Sequence, residues 1–412
     1  MSVARTSTRD ALSVRVYGDP VGEISRDRHG AVHFTPNAAW LEGGQYPPLG
    51  LAFLANPRAR TARGGGIPVW FENLLPEAES PLRRWMCKRF GILESDSATL
   101  LAKLGRDLPG AVEVVEGLEH EETSEATAET PALPEPLRFS LAGLQLKLSM
   151  SFEDGRFVLP ASSEGGQWIV KIPGERFPEL PEVEAATMTW ARASGLDVPP
   201  HHVLPIASVH GVDPKLLGTP TSAFAILRFD RRADGRVHQE DFAQVLEIAP
   251  AHKYGDGKRR IGYGGLLELV GDASGAATRE RLLERIAFVV ASGNADAHLK
   301  NWSLQWDRSH RPRLAPCYDF VATISWPELE PELALDFGRV RKFEHLDRAA
   351  LTRLVERAKC PGAASSFMAA LERARTAWPA VATQAPPRMR TALAEHWRRV
   401  PLLASLGGLP AA

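Results

Sequence analysis

Cysteine is scarce in this chain, with three residues in 412: Cys87, Cys317 and Cys360. They are too few and too scattered for a disulfide framework or a Cys-rich zinc site. No apolar run approaches the ~20 residues that a membrane-spanning helix needs, so no membrane association is expected. The opening MSVARTSTRD has no apolar core before Asp10. No secretory leader is therefore expected, and a cytoplasmic location is. Net charge is also lacking, since 49 Lys+Arg against 50 Asp+Glu leave −1. Such balance argues against broad, sequence-independent nucleic-acid binding, while leaving room for a local basic patch. No internal repeat of roughly 20–50 residues is evident. What is present is ordinary: 44% hydrophobic and 24% charged residues. That is enough apolar material for sizeable cores in about two to three domains.

Residues 1–116 form the first part. LSVRVYG and AVHFT alternate as strands do, with turn residues Gly18-Asp19-Pro20 and Arg28-His29-Gly30 nearby. PLRRWMCKRFGI (81–92) and SATLLAKLG (97–105) have helical patterning, with Gly105 as a stop. This predicts a small α+β subdomain without a chemistry-bearing cluster. Residues 117–137 are acidic, rich in Thr and Pro and poor in apolar residues, the composition of a solvated linker. Residues 138–232 hold the β-type runs LQLKLSM, QWIVKIP and AFAILRF, with an amphipathic helix predicted over 181–196 and ending at Gly195. From 233 to 412 the patterning is mostly helical, including QEDFAQVLEI and TRERLLERIAFVVASG. Strands first and helices after predict a two-lobed α+β unit, β-rich then helical.

The chemistry concentrates in Gly293-Asn294-Ala295-Asp296-Ala297-His298-Leu299-Lys300-Asn301. This segment follows an apolar helix and precedes a predicted strand, NWSLQW. A second predicted strand, PRLAPCYDF, carries Asp319. A hairpin would thus return Asn301 and Asp319 to the end of the molecule where the helix delivers Asp296. Asp and Asn are oxygen donors suited to Mg²⁺. An Asp, an Asn five positions later and a further Asp is the layout phosphoryl transfer requires. One carboxylate orients the attacking hydroxyl, and the other two residues hold metal across the phosphates. Protein kinases share the D-x-x-x-x-N spacing, although Val321 stands where their metal-binding motif continues with Gly. Any one of these residues reads more plainly as a helix cap or turn former; the set together points to catalysis. Upstream, Lys171 interrupts an apolar strand, and Glu184 lies on the helix that follows. That pairing positions nucleotide phosphates in kinases, though surface Lys–Glu pairs are common and worth little. Ser140-Leu141-Ala142-Gly143-Leu144-Gln145-Leu146-Lys147 matches neither a P-loop nor G-x-G-x-x-G; its small residues permit close approach to phosphate, but by itself it reads more plainly as a tight turn entering a strand.

In combination these motifs resemble the HipA family, the serine/threonine kinase toxins of bacterial toxin–antitoxin pairs. The 140–147 segment is similar to that family's S-x-A-G-x-Q-x-K loop, WIVKIP to its nucleotide-lysine strand, and RFDRR with QEDFAQ to its hinge. NADAHLKN and LAPCYDF resemble its catalytic loop and metal segment. VYGDPVGEI, WFENLLPE and GRDLPGAV resemble its N-terminal subdomain. The resemblance implies a two-lobed, protein-kinase-like α+β fold that uses ATP and Mg²⁺. Asp296 would be the catalytic base, and Asn301 and Asp319 the metal ligands. Lys171, with Glu184, would contact the phosphates. The loop Ala142, Gly143, Leu144, Gln145 and Lys147 would cover them, and His298 and Lys300 would stand on the same nucleotide side. Leu227, Arg228 and Phe229 would lie along the adenine. Ser140 would be the inhibitory autophosphorylation site. Implied partners are a protein substrate from translation, such as an aminoacyl-tRNA synthetase, and a helix-turn-helix antitoxin, with DNA reached only through the antitoxin. A kinase-like corepressor or a small-molecule phosphotransferase are the competing expectations. The basic stretch Gly255–Arg260 and the cluster Arg388, Arg390, Arg398 and Arg399 read as solvated surface.

Overall fold

The computed structural model describes residues 11–62, 66–116, 145–159, 165–177, 179–212, 217–255, 261–306, 310–329, 332–360 and 362–410. The stretch 117–144, with Ser140, Ala142, Gly143 and Leu144, lies outside them, as does 256–260.

The first strands are β1 (Leu12–Val16), β2 (Asp19–Arg26), β3 (Val32–Pro36), β4 (Arg60–Ala62) and β5 (Val112–Glu116). They form an antiparallel sheet in the order β4-β3-β2-β1-β5. Alternation places Val14, Val16, Ile24 and Phe34 on one face, where they pack with Trp70 and Phe71 from a short helix, Val69–Glu72. Helix α1 (Pro81–Phe90) starts at Ser80, whose hydroxyl accepts from the Arg83 N–H, and stops at Gly91 in the left-handed region. Helix α2 (Ser97–Leu104) is capped by Asp96.

The second sheet runs β10-β7-β6-β8-β11-β9. Its members are β6 (Leu146–Glu153), β7 (Arg156–Val158), β8 (Trp168–Ile172), β9 (His201–Pro205), β10 (Val209–His210) and β11 (Ser222–Leu227). Between β8 and β9 comes α3 (Leu180–Ala193), which packs its apolar face on β9 and β11. A small hairpin, β12 (Arg231–Arg232) with β13 (Gly235–Arg236), leads into the second lobe. There β14 (His238–Asp241), β15 (Ser303–Trp306) and β16 (Arg313–Leu314) make a three-stranded sheet. A further hairpin pairs β17 (Glu332–Phe337) with β18 (Val340–Lys342), and helices make up most of the rest: α4 (Phe242–Val245), α5 (Tyr263–Ser274), α6 (Ala276–Ser292), α7 (Arg348–Arg357), α8 (Ala363–Ala377) and α9 (Pro387–Arg399). From Leu282 to Ser292, α6 is buried at every position except Glu284, because α5, α8 and α9 surround it. Among the described residues no helix is long and apolar enough to cross a membrane.

The α+β, two-lobed expectation is met, and two local expectations are corrected. QEDFAQVLEI does not begin as helix. Gln239, Glu240 and Asp241 pair with β15, and the helix after them is one turn, closed by a capping box between Asp241 and Gln244. PRLAPCYDF is a strand only at Arg313–Leu314. Beyond that the chain is extended without a continuous ladder, its Cys317 N–H donating to the Asp197 carbonyl instead.

The first subdomain is bolted to β14. The His238 ring bonds the Leu49 carbonyl at 2.9 Å through Nε2, and Tyr17 donates to the Trp306 carbonyl at 2.8 Å. Fully buried Glu240 accepts from Leu51 N at 2.8 Å and Trp70 Nε1 at 3.3 Å. Gly50 is extended, and a Cβ there would run into the Glu240 carboxyl, so this contact needs glycine for space. Burial outweighs the two donors and pushes the Glu240 carboxyl up to about 8. A carboxyl raised on folding stabilises below its unfolded value and loses that contribution as pH rises through the folded one. Wild-type melting temperature should therefore carry a component that declines between pH 4.5 and about 8. In Glu240→Gln that slope should flatten in melts taken across the window. The slope is the readout, because the variant's amide nitrogen would face the Trp70 donor and lower stability at every pH.

Candidate active site

Helix α6 ends at Gly293, which is left-handed (φ +63) and faces the Ile324 side chain, leaving no room for a Cβ. The loop after it is held by its own polar groups. Asn294 Oδ1 accepts from Asp296 N at 3.0 Å, and Ala295 N donates to Thr323 Oγ1 at 2.7 Å. Asn301 Nδ2 donates to the Asp296 carbonyl at 3.0 Å, which leaves Asn301 Oδ1 as the oxygen to offer a cation. The Asp296 carboxylate accepts the Tyr254 hydroxyl at 2.6 Å. Burial raises the Asp296 pKa, an effect opposed by Tyr254 and Lys253.

Across from this loop stands Lys171 on β8, 2% exposed, with its ammonium on both Glu184 of α3 and Asp319. Lys147 of β6 donates to the other Asp319 oxygen at 2.7 Å. Burial alone would raise the Asp319 carboxyl, but Lys147 and Lys171 outweigh it and hold Asp319 well below the ordinary carboxylate range. Burial likewise disfavours the charged Lys171, and Asp319 and Glu184 reverse this, raising it. Glu184 is raised by burial and by the Asp319 charge, with Lys171 opposing.

These groups share one cleft of about 1140 Å³ between the lobes, walled by Lys147, Lys171, Glu184, Asp296, Asn301 and Asp319. Gln145 and His298 also line it. The residues fit a phosphate-bearing ligand with a cation. Buried Asn294 Nδ2, His298 Nδ1, Gln145 Nε2 and Glu184 Oε2, all in cleft-lining residues, have no hydrogen-bond partner within the protein. Asp319 and Asn301 bring hard oxygens to the same wall. Among the described residues no three His, Cys, Asp or Glu side chains cluster as a self-sufficient metal cage. A cation here would need oxygens from its ligand, as Mg²⁺ commonly does.

Other residues expected at the site make contacts of their own within the protein. Lys300 lines the cleft, but its ammonium is spent on the Asn73 carbonyl (2.9 Å) and on Asp241 (2.7 Å), tying the loop to the first subdomain. Leu227, Arg228 and Phe229 do not line the cleft. Arg228 is buried against Asp230, Asp107 and the Ser149 hydroxyl, and Phe229 packs on the Tyr318 ring at 5.7 Å. Sequence reasoning missed Tyr254, Asn294 and Thr323. Asn294 sits inside the motif, whereas Tyr254 lies 42 residues before Asp296 with no spacing signal to expose it.

The family model described as HipA-like C-terminal domain matches residues 139–381, and that described as HipA N-terminal domain matches 12–115. The chain belongs to the HipA family. Y4dM of Sinorhizobium fredii, which carries a kinase name, is 38% identical over 357 residues, covering 84% of this chain and 86% of its own. The serine/threonine-protein kinase toxin HipA of Shewanella oneidensis is 26% identical over 371 residues, covering 81% of this chain and 79% of its own. A chain of the solved Shewanella oneidensis complex of HipA, HipB and operator DNA matches with a TM-score of 0.71 at 21% identity. It covers 95% of this chain and 96% of that one, a likeness that shows the fold.

Lys171→Met in this HipA-family chain would leave Glu184, 1% exposed, as a buried carboxylate without its cation. Urea unfolding should show a loss of about 3–5 kcal/mol. Adding Glu184→Leu should restore part of it, because the stranded charge goes too.

Proposed function

We propose that this chain is an ATP-dependent serine/threonine protein kinase of the HipA toxin type. The observation that carries the reading is the convergence of Asp296, Asn301, Asp319 and the Lys171–Glu184 pair on one interlobe cleft. Asp296 would accept the proton of the attacking hydroxyl, its backbone fixed by Asn294 and Asn301. Asn301 and Asp319 would hold Mg²⁺, which neutralises charge developing on the transferred phosphoryl group. Lys171, kept in place by Glu184, and Lys147 would meet the phosphate oxygens. The 142–147 loop would cover the phosphates; of it, Gln145 and Lys147 are described and both line the cleft. Phosphate on Ser140 would add about −1.5 to −2 charge to that loop and repel the nucleotide, giving self-inactivation.

The protein acceptor on this reading is a translation component such as an aminoacyl-tRNA synthetase. The partner is a helix-turn-helix antitoxin, with DNA met only through it. The likeness to the HipA, HipB and operator DNA complex supports that partner class.

Radiolabel transfer from [γ-³²P]ATP to the chain itself and to cell extract tests the reading. Wild type with Mg²⁺ should label, Asp296→Asn should fall by about 10²–10⁴, and EDTA should abolish transfer. Absence of label would leave a kinase-like docking module for the antitoxin, and label appearing only in small molecules would make this a small-molecule phosphotransferase. Ser140→Ala should remove phosphate from the 140–147 peptide and prolong activity, as read by peptide mass spectrometry over time. Unchanged phosphorylation of that peptide would refute the self-inactivation.

A further inference from the structure

We propose that Tyr254 is itself a phosphoryl acceptor, an intramolecular autophosphorylation site on tyrosine. The inference rests on the kinase reading above and extends it to a residue that reading does not use. A general base must stand within hydrogen-bond reach of the proton it takes. The Tyr254 hydroxyl donates to Asp296 Oδ1 at 2.6 Å, so one hydroxyl of this chain already occupies the acceptor's relation to the base. The side chain lines the same cleft as Lys147, Lys171 and Asp319, and remains 43% exposed.

The segment is held there. Leu299 N donates to the Lys253 carbonyl at 3.1 Å, the Lys253 ammonium pairs with Glu77 at 2.7 Å, and the Tyr254 ring meets His298 edge-on at 5.2 Å. Other tyrosines near this loop are committed elsewhere: Tyr263 and Tyr318 donate to the carbonyls of Ala297 and Lys300. A purely supporting role, in which Tyr254 only satisfies a desolvated carboxylate, would explain the hydrogen bond. It would leave unexplained why the donor lines the cleft and still keeps 43% of its surface exposed.

In the step, Tyr254 Oη bonds to the γ-phosphorus of ATP as the bond from that phosphorus to the bridging β,γ-oxygen breaks. ADP leaves with that electron pair, and the phenolic proton passes to Asp296. The product carries about −1.5 to −2 charge beside the Asp296 carboxylate. It stands where an incoming hydroxyl must dock, so the modified chain should be closed to other acceptors.

The test incubates the full chain with Mg·ATP over a range of protein concentrations and follows the Tyr254 peptide by tandem mass spectrometry. Phosphate on Tyr254, at a rate independent of protein concentration and lowered about 10²-fold or more in Asp296→Asn, is the expected result. A rate rising with concentration overturns the intramolecular assignment. Label on other residues or on extract proteins, with Tyr254 unmodified, overturns this inference alone. No transfer to any acceptor overturns the kinase reading, and this inference with it.

Discussion

One buried ammonium between two carboxylates organises the molecule. Lys171 belongs to the β-rich lobe, Glu184 to the helix packed on it, and Asp319 to an extended segment of the helical lobe. Each charge alone would be costly at that depth, and each is tolerable because the others are present. The triad therefore fixes how strand, helix and second lobe stand toward one another. Lys147 joins the Asp319 carboxylate as well, with its own side chain 45% exposed. Two ammoniums thus balance two carboxylates, and Lys147 is the member most open to solvent. A phosphate chain with a divalent cation offers both lysines and the carboxylate alternative partners of the right sign.

The second constraint comes from the first subdomain. Asn73 receives the Lys300 ammonium and donates to the Ile248 carbonyl, while Lys300 also pairs with Asp241 at the cap of α4. Glu77 holds Lys253, whose carbonyl in turn holds Leu299. The C-terminal end of the loop carrying Asp296, at Leu299 and Lys300, is thus tethered to residues 73–77 of the first subdomain, more than 200 positions earlier in the sequence. In a charge-assisted hydrogen bond to a fixed carbonyl, a lysine orients what lies next to it. Lys300 does so for Asn301, directly beside it in the chain.

That division of labour explains what the sequence could disclose. Asp296, Asn301 and Asp319 could be grouped from the sequence because the D-x-x-x-x-N spacing and a returning segment would bring them to one end of the lobe, and all three do line one cleft. Lys171 and Glu184 were legible as a strand–helix pair with a charge inside an apolar run. The burial of the Arg228 guanidinium against Asp107 and Asp230 was not, because an arginine beside a turn looks the same facing solvent or core. Nor was the role of Lys300, whose partner Asn73 sits 227 positions upstream. Local patterning also overstated PRLAPCYDF. Alternation marks an extended chain but says nothing about whether a neighbouring strand exists to pair with it, and after Ala315, whose N–H still reaches the Ser303 carbonyl, the ladder with β15 does not continue.

The same limit resolves the departure at Val321. Where protein kinases continue their metal-binding motif with Gly, this chain has the β-branched Val321. The backbone places its left-handed residue elsewhere: Asp319 itself has φ +55, and Val321 stays outside the positive-φ region. Asp is among the few non-glycine residues that visit this conformation with modest cost. The strain thus falls on the residue whose carboxylate must point back toward Lys147 and Lys171 rather than along the extended segment that delivers it. A sparsely populated conformation persists where surrounding contacts over-determine it, and such positions gather at functional sites. Here two lysines supply that determination. The bulky Val321 is then free to line the cleft and pack against the second-lobe core, a use a glycine could not serve.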